Sequence, residues 1–219
     1  MDQSGAARRL RGIVEAAAVA CDLEKAILGG AVADMHGPAG VEVAEMAVRL
    51  LLRYLGEDPD RDGLRETPRR FRRMLDELRD GGEEEVEASI FASDVEDLVV
   101  VRDIPLHSMC EHHIMPFYGV AHIGYLPRGK VLGLSKFARI VRRVGSKLTT
   151  QEWITSAVAE EIGAVAESEN VAVQTVATHT CMVNRGIRAH GSSTVANALL
   201  GSFRTEAALR SEFLAALRQ

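Results

Sequence analysis

The sequence predicts an α+β protein, in which a helical N-terminal region precedes a domain of alternating strands and helices. Three observations carry this. Residues 41–82 repeat apolar side chains at helical spacing, with Gly and Pro as punctuation. After Asp97 the chain becomes rich in Val and Ile, in short runs of strand type. Those runs do not have the pattern of a doubly wound parallel sheet, whose strands are buried on both faces.

The elements follow in order. Residues 7–27 read as a helix with Leu10, Ile13, Val14, Ala17 and Cys21 on one side, and Gly29, Gly30, Gly37, Pro38 and Gly40 mark residues 28–40 as a linker. A second helix spans about Val41 to Leu55, with Ala47, Leu50, Leu51 and Tyr54 on one face and Gly56 as its stop. Asp58-Pro59-Asp60 is a turn, and Thr67-Pro68 opens a third helix that ends at Gly81-Gly82. Glu83 to Glu87 form a solvated acidic connection. Strands are expected over Leu98–Leu106, Tyr118–Leu126 and Val171–Val183. Ser135 is expected to cap a helix that buries Phe137, Ile140, Val141 and Val144. Further helices are expected over Gln151–Glu167, with Ile154, Val158, Ile162 and Val165 on one stripe, and over Thr205–Leu217. The chain therefore divides into an extension (1–40), a helical region (41–95) and an α+β domain (96–219).

Composition narrows the function. With 47% apolar and 26% charged residues in 219, the chain has the make-up of a globular protein. A net charge of −5 argues against a general nucleic-acid binder. No apolar run approaches the roughly 18 residues that span a bilayer. Arg8, Arg9 and Arg11 precede an Ala-rich stretch, but Glu15 interrupts it, so a signal peptide is not expected. Three cysteines, Cys21, Cys110 and Cys181, make no disulfide framework and point to a reducing cytosol.

The chemistry concentrates in two places. Ser108-Met109-Cys110-Glu111-His112-His113 packs a thiol, a carboxylate and two imidazoles together, and His179-Thr180-Cys181 follows much later. Cys110 and His113, three apart, can face one ion from a turn. On a strand, His179 and Cys181 would share a face. Two thiolates and an imidazole suit Zn²⁺. A closed four-ligand structural site is one reading. Against it, no paired C-x-x-C knuckle is present, and Glu111, His112 and His179 exceed what four ligands need. Three protein ligands plus water is the catalytic arrangement, and spare imidazoles serve proton transfer. The zinc therefore points to hydrolytic chemistry.

The second place is Gly133-Leu134-Ser135-Lys136, at a helix start where free N–H groups attract anions. Lys136 and Arg139 share a face, and Arg185 and Arg188 follow the Cys181 segment, so a polyphosphate cradle is one reading and a solvated basic face the other. No Walker-type loop is present. Gln151-Glu152 pairs an amide with a carboxylate, which can read a purine edge or can simply be a polar first turn.

Taken in order, these residues resemble the GTP cyclohydrolase I family. The ordered set begins with Gly56-Glu57-Asp58-Pro59-Asp60-Arg61-Asp62-Gly63-Leu64 and Glu66-Thr67-Pro68. Cys110-Glu111-His112-His113 with Pro116-Phe117 follows, then Gly133 to Lys136 with Arg139, then Gln151-Glu152, then His179-x-Cys181 with Arg185-Gly186 and Arg188. The resemblance covers about residues 43–217 and implies the tunnelling fold, an antiparallel sheet with two helices on one side. It also implies a homo-oligomeric ring, a decamer of two stacked pentamers in bacteria, with active sites between subunits. The implied reaction turns GTP and water into formate and 7,8-dihydroneopterin triphosphate. In it, Cys110, His113 and Cys181 hold zinc, and water activated there attacks C8 of guanine. His112 and His179 move protons, Gln151 and Glu152 read the guanine edge, Lys136, Arg139 and Arg185 hold the triphosphate, and Ser135 assists the sugar rearrangement.

This chain departs from the family pattern twice. The family usually reads Arg-Pro-Gln-x-Gln-Glu-Arg where this sequence has Lys147-Leu148-Thr149-Thr150-Gln151-Glu152-Trp153. Ala196 and Asn197 stand where hydroxyls are usual. The alternatives are a paralogue that stops at a formylated or ring-opened pyrimidine, and a non-catalytic GTP- or pterin-sensing subunit with a structural zinc.

Overall fold

The computed structural model describes residues 37–82 and 89–218. The helix expected over 7–27 and the acidic connection at 83–87 lie outside them. The chain separates into two compact units, Met1–Glu77 and Leu78–Gln219.

In the first unit, α1 (Pro38–Tyr54) opens with Pro at its first turn, where a missing N–H costs nothing. It stops as Gly56 adopts φ 82 and the amides of Gly56 and Glu57 return to Arg53 O and Leu52 O. The Asp58 side chain then accepts from Asp60 N at 3.0 Å, the local bond that makes Asp a turn residue. α2 (Thr67–Gly82) follows, and its Arg72 reaches across to Glu45 of α1 at 2.9 Å.

The second unit is built on a five-stranded sheet. Its strands are β2 (Val99–Cys110), β3 (Met115–Tyr125), β5 (Leu148–Thr149), β6 (Val171–His179) and β7 (Thr194–Leu199), in the order β5-β2-β3-β6-β7. All neighbours are antiparallel except the short β5, which runs parallel to β2. A separate ribbon pairs β1 (Ile90–Ala92) with β4 (Lys130–Leu132).

Alternation decides the faces. Ile104 and Leu106 on β2, and Phe117, Ala121, Ile123 and Tyr125 on β3, are buried with α3 (Leu134–Gly145) and α4 (Gln151–Ala166). The two helices lie side by side on this one face. Phe137, Ile140 and Val141 of α3 and Ile154, Val158 and Ile162 of α4 are fully buried, as their spacing predicts. At one end of the opposite face, Phe213 of α7 (Ala207–Ala216) packs on Phe203 of α6 (Ser202–Thr205) and sits over Gly124.

The structure corrects several sequence expectations. The last long strand stops at His179, and Thr180–Val183 form a single helical turn, α5. There the Thr180 hydroxyl donates to Pro116 O at 2.6 Å rather than continuing the ladder. Ser135 is not the cap of α3: Gly133 is, which places Ser135 in the first turn. Thr150 caps α4, its hydroxyl accepting from Trp153 N. The C-terminal helix expected from Thr205 is split at Glu206. β7 was not expected, because its run of small and polar residues carries a weak strand signal.

Candidate active site

The centre of the site is a tight hairpin. Cys110 and Met115 are register partners, so residues 111–114 form the loop between β2 and β3. The amides of His113 and Ile114 both turn back on Cys110 O, at 3.3 and 2.9 Å. Ile114 closes the loop at φ 50, a left-handed conformation that costs a β-branched residue roughly 1–2 kcal/mol. The reversal brings His113 Nδ1 to 3.7 Å from Cys110 Sγ. The third member arrives from α5, where the Thr180–Pro116 bond fixes the start of the turn that carries Cys181. One ligand atom each from Cys110, His113 and Cys181 lie within 4.8 Å of one another. Among the described residues this is the one such group of His, Cys and carboxylates.

These residues fit a soft divalent cation. A tetrahedral zinc with ordinary Zn–S and Zn–N bonds sets sulfur and nitrogen about 3.6 Å apart, close to the observed separation. Burial, and then the neighbouring Cys110, push the Cys181 thiol upward, while Arg185 opposes them. A bound cation would oppose that upward push and favour the Cys181 thiolate.

Around this group stand the candidate proton carriers. His112 Nδ1 lies 3.7 Å from Cys110 Sγ, and its Nε2 lies 3.7 Å from Glu111 Oε1; its side chain is exposed. His179 stacks on Phe117, with ring centroids 4.6 Å apart and planes 14° apart, which follows from their direct pairing between β3 and β6. Burial lowers the His179 pKa, and the Glu152 carboxylate opposes that shift. Glu152 is exposed, whereas Gln151 is fully buried, with its amide bonded to His179, Thr175 and Thr194.

The anion residues lie elsewhere in the chain. α3 begins where Leu132 N donates to Tyr125 Oη, at the far end of β3, and ends where Gly145 lies against His107 O, near Cys110. Ser135 precedes Gly145 by about ten residues, roughly 15 Å of helix. The structure therefore gathers Cys110, His112, His113, Gln151, Glu152, His179 and Cys181 at one end of the sheet. Ser135, Lys136 and Arg139 sit toward the other end of α3. Lys136 is buried, while Ser135 and Arg139 are exposed. Arg185 follows α5, close enough to Cys181 to influence its thiol.

Comparison with known proteins places this arrangement. The family model described as GTP cyclohydrolase I matches residues 44–218. The chain belongs to that family. A protein named GTP cyclohydrolase 1 from Bacillus cytotoxicus is 46% identical over 182 residues, covering 81% of this chain and 96% of its own length. One of the same name from Hyperthermus butylicus is 48% identical over 168 residues, covering 77% of this chain and 86% of its own. That from Bacillus pumilus is 45% identical, covering 81% and 96%. A solved apo structure of an archaeosine synthase QueF-like protein overlaps 48% of this chain and 93% of its own, at TM-score 0.40 and 19% identity, a likeness too distant to bear on function. As a GTP cyclohydrolase I family member the chain has the tunnelling fold, with its antiparallel sheet and two helices on one face.

The departures from the family pattern have structural consequences. Lys147 Nζ sits 3.6 Å from the centroid of the Trp153 ring, a cation–π contact at the mouth of α4. Sequence reasoning missed Thr155, Thr175 and Thr194, which tie Gln151 in place. Thr155 and Thr175 are buried and bond through their hydroxyls, and Thr194 bonds through its backbone carbonyl, none of which a sequence distinguishes.

Proposed function

We propose that this chain opens the guanine imidazole ring of GTP by hydrolysis, releases formate and completes the rearrangement to 7,8-dihydroneopterin triphosphate. The observation that carries this is the convergence of Cys110, His113 and Cys181 with two further imidazoles, His112 and His179, and the Glu152 carboxylate at one end of the sheet. We assign zinc to the three ligands; when bound, it supplies a Lewis acid that makes water nucleophilic near neutral pH. The protein residues do the rest. The Glu152 carboxylate accepts N–H bonds from the guanine edge, a charge-assisted contact that adenine cannot match. His112 and His179 accept and return protons as the ring opens. Lys136, Arg139 and Arg185 hold the triphosphate, and Ser135 stands beside the sugar.

The separation of Ser135, Lys136 and Arg139 from the cysteine hairpin supports a site shared between copies. We propose a homo-oligomer, of the stacked-pentamer type that the family resemblance implies, in which a neighbouring copy brings its end of α3 to the hairpin. Among the described residues no helix is long and apolar enough to cross a membrane. The free thiols of Cys110 and Cys181 favour the cytoplasm.

The test is incubation with GTP, reading formate, product mass and pterin fluorescence after oxidation. One formate per GTP with a fluorescent neopterin species is the expected result. GTP loss to a product heavier by one water, without fluorescence, marks an enzyme that stops at the first hydrolysis. Binding of GTP with no turnover marks a sensing subunit.

A further inference from the structure

We infer that Gln151 is a positioning residue that fixes the neutral tautomer of His179, with the proton on Nε2 and the lone pair on Nδ1, and that it does not read the base. The inference rests on the reading of His179 as a proton carrier.

The hydrogen bonds determine the amide orientation. Gln151 Nε2 lies 3.1 Å from Thr175 O and 3.0 Å from Thr194 O. Backbone carbonyls only accept, so the atom facing them must be the NH₂ group. The third neighbour, Thr175 Oγ1 at 3.0 Å, agrees. The Thr155 hydroxyl donates to Gln151 O at 2.7 Å, and so receives the Thr175 hydroxyl proton across their own 2.7 Å contact. Thr175 Oγ1 is then left to accept from the Gln151 amide. The two amide protons are shared among these three acceptors, and all three require the same amide orientation.

The remaining amide atom, Gln151 Oε1, is 2.9 Å from His179 Nε2. An amide oxygen cannot donate, so the imidazole must, and Nε2 carries the proton. In neutral imidazole the lone pair is then on Nδ1. Turning the ring over would set a carbon against Gln151 Oε1 and lose the 2.9 Å bond, so Nε2 stays engaged while stacking on Phe117 holds the plane. Proton exchange between His179 and substrate therefore runs through Nδ1. Gln151 is 0% exposed and its NH₂ group is fully committed, which leaves guanine recognition to Glu152.

The experiment has two arms. The first is ¹⁵N NMR of histidine-labelled, metal-loaded protein at pH about 8, above the ordinary histidine range, with His179→Ala to assign the signal. The expected spectrum shows a protonated Nε2 and an unprotonated Nδ1; the reverse tautomer, or a mixture, overturns the inference. This arm needs no turnover, so it stands even if the protein fails to act on GTP. The second arm is Gln151→Met, which keeps the volume and removes the polar partners. If the variant folds, judged by circular dichroism, its His179 signal should show mixed tautomers. Its kcat should fall by about tenfold or more, with KM for GTP within about threefold, since a misplaced imidazole tautomer costs chemistry rather than binding. A large rise in KM at unchanged kcat would assign Gln151 to base reading and sink the proposal. If the variant does not fold, the spectrum of the parent protein decides alone.

Discussion

Gly119→Ala should damage both the fold and the chemistry. Gly119 lies on β3, paired with Ala177 on β6, and a Cβ built there would fall 1.9 Å from Val176 O and 2.7 Å from Ala177 Cα. An ordinary carbon–oxygen contact needs about 3.3 Å, so the two strands must part by about 1.4 Å, and backbone cannot step aside as a flexible side chain can. Losing two to three ladder hydrogen bonds, at about 1 kcal/mol each, gives a cost of about 3 kcal/mol. For a chain of this size that is a fall in Tm of about 6–12 °C. The next inward pair on the same face is Phe117 with His179, so the opening is passed to the imidazole. A displacement of about 1 Å at a reacting group can cost a hundredfold in rate. Thermal melting at one fixed protein concentration and formate release at saturating GTP measure the two effects. A variant with Tm within about 2 °C of the parent and kcat within about threefold would refute the reasoning, since neither the ladder nor the site would then depend on this close approach.

Four other outcomes are expected. Cys110→Ala and Cys181→Ala should each lose bound zinc, because two ligands hold a cation far less well than three; full zinc in either variant by metal analysis contradicts the ligand set. Glu152→Gln should lose turnover of GTP by at least about a hundredfold, since an amide cannot replace the charge-assisted bonds; the parent protein should leave ATP untouched. Mixing Lys136→Ala with Cys181→Ala protein, after dissociation and reassembly, should restore part of the activity that each lacks, and no recovery argues that each site lies within one chain. Finally, His122 sits buried on β3 with Nδ1 accepting from Asp103 N at 3.2 Å. Burial lowers its pKa, Asp103 opposes this and Arg102 adds to it. The folded pKa lies below the unfolded one, so stability is fully present above about pH 6.5 and is lost as the pH falls toward the folded value. His122→Gln should flatten the acid limb of a stability–pH curve, and an unchanged limb would show that His122 is already accommodated in its charged form.

Much of the fold was readable because the buried faces of α3 and α4 are written in bulky residues at strict helical spacing, from Phe137 to Val144 and from Ile154 to Ile162. β7 was not, since Thr194, Ala196 and Ala198 alternate with Val195 and Asn197 without a clear apolar face. The end of β6 was lost for a related reason: Val171 to Val183 keeps its β-branched character past His179, and the bond from the Thr180 hydroxyl to a distant carbonyl ends the strand. Cys110, His113 and Cys181 were legible because thiols and imidazoles are scarce and their chemistry narrow. The burial of Gln151 was not, because an amide looks the same in a sequence whether it meets solvent or is enclosed by Thr175, Thr194 and His179.

The Lys147–Trp153 contact makes the protein its own optical probe. The chain contains a single tryptophan, so all of its indole emission originates at the start of α4, one residue from the Glu152 carboxylate. An ammonium held 3.6 Å over the ring sets the local field that the excited indole senses. Whatever enters beside Glu152, or displaces Lys147, alters that field, and the colour or yield of the emission changes with it. On the proposed reading of Glu152, the arrival of a nucleotide can therefore be followed in real time by stopped-flow mixing, with no label attached and no turnover required.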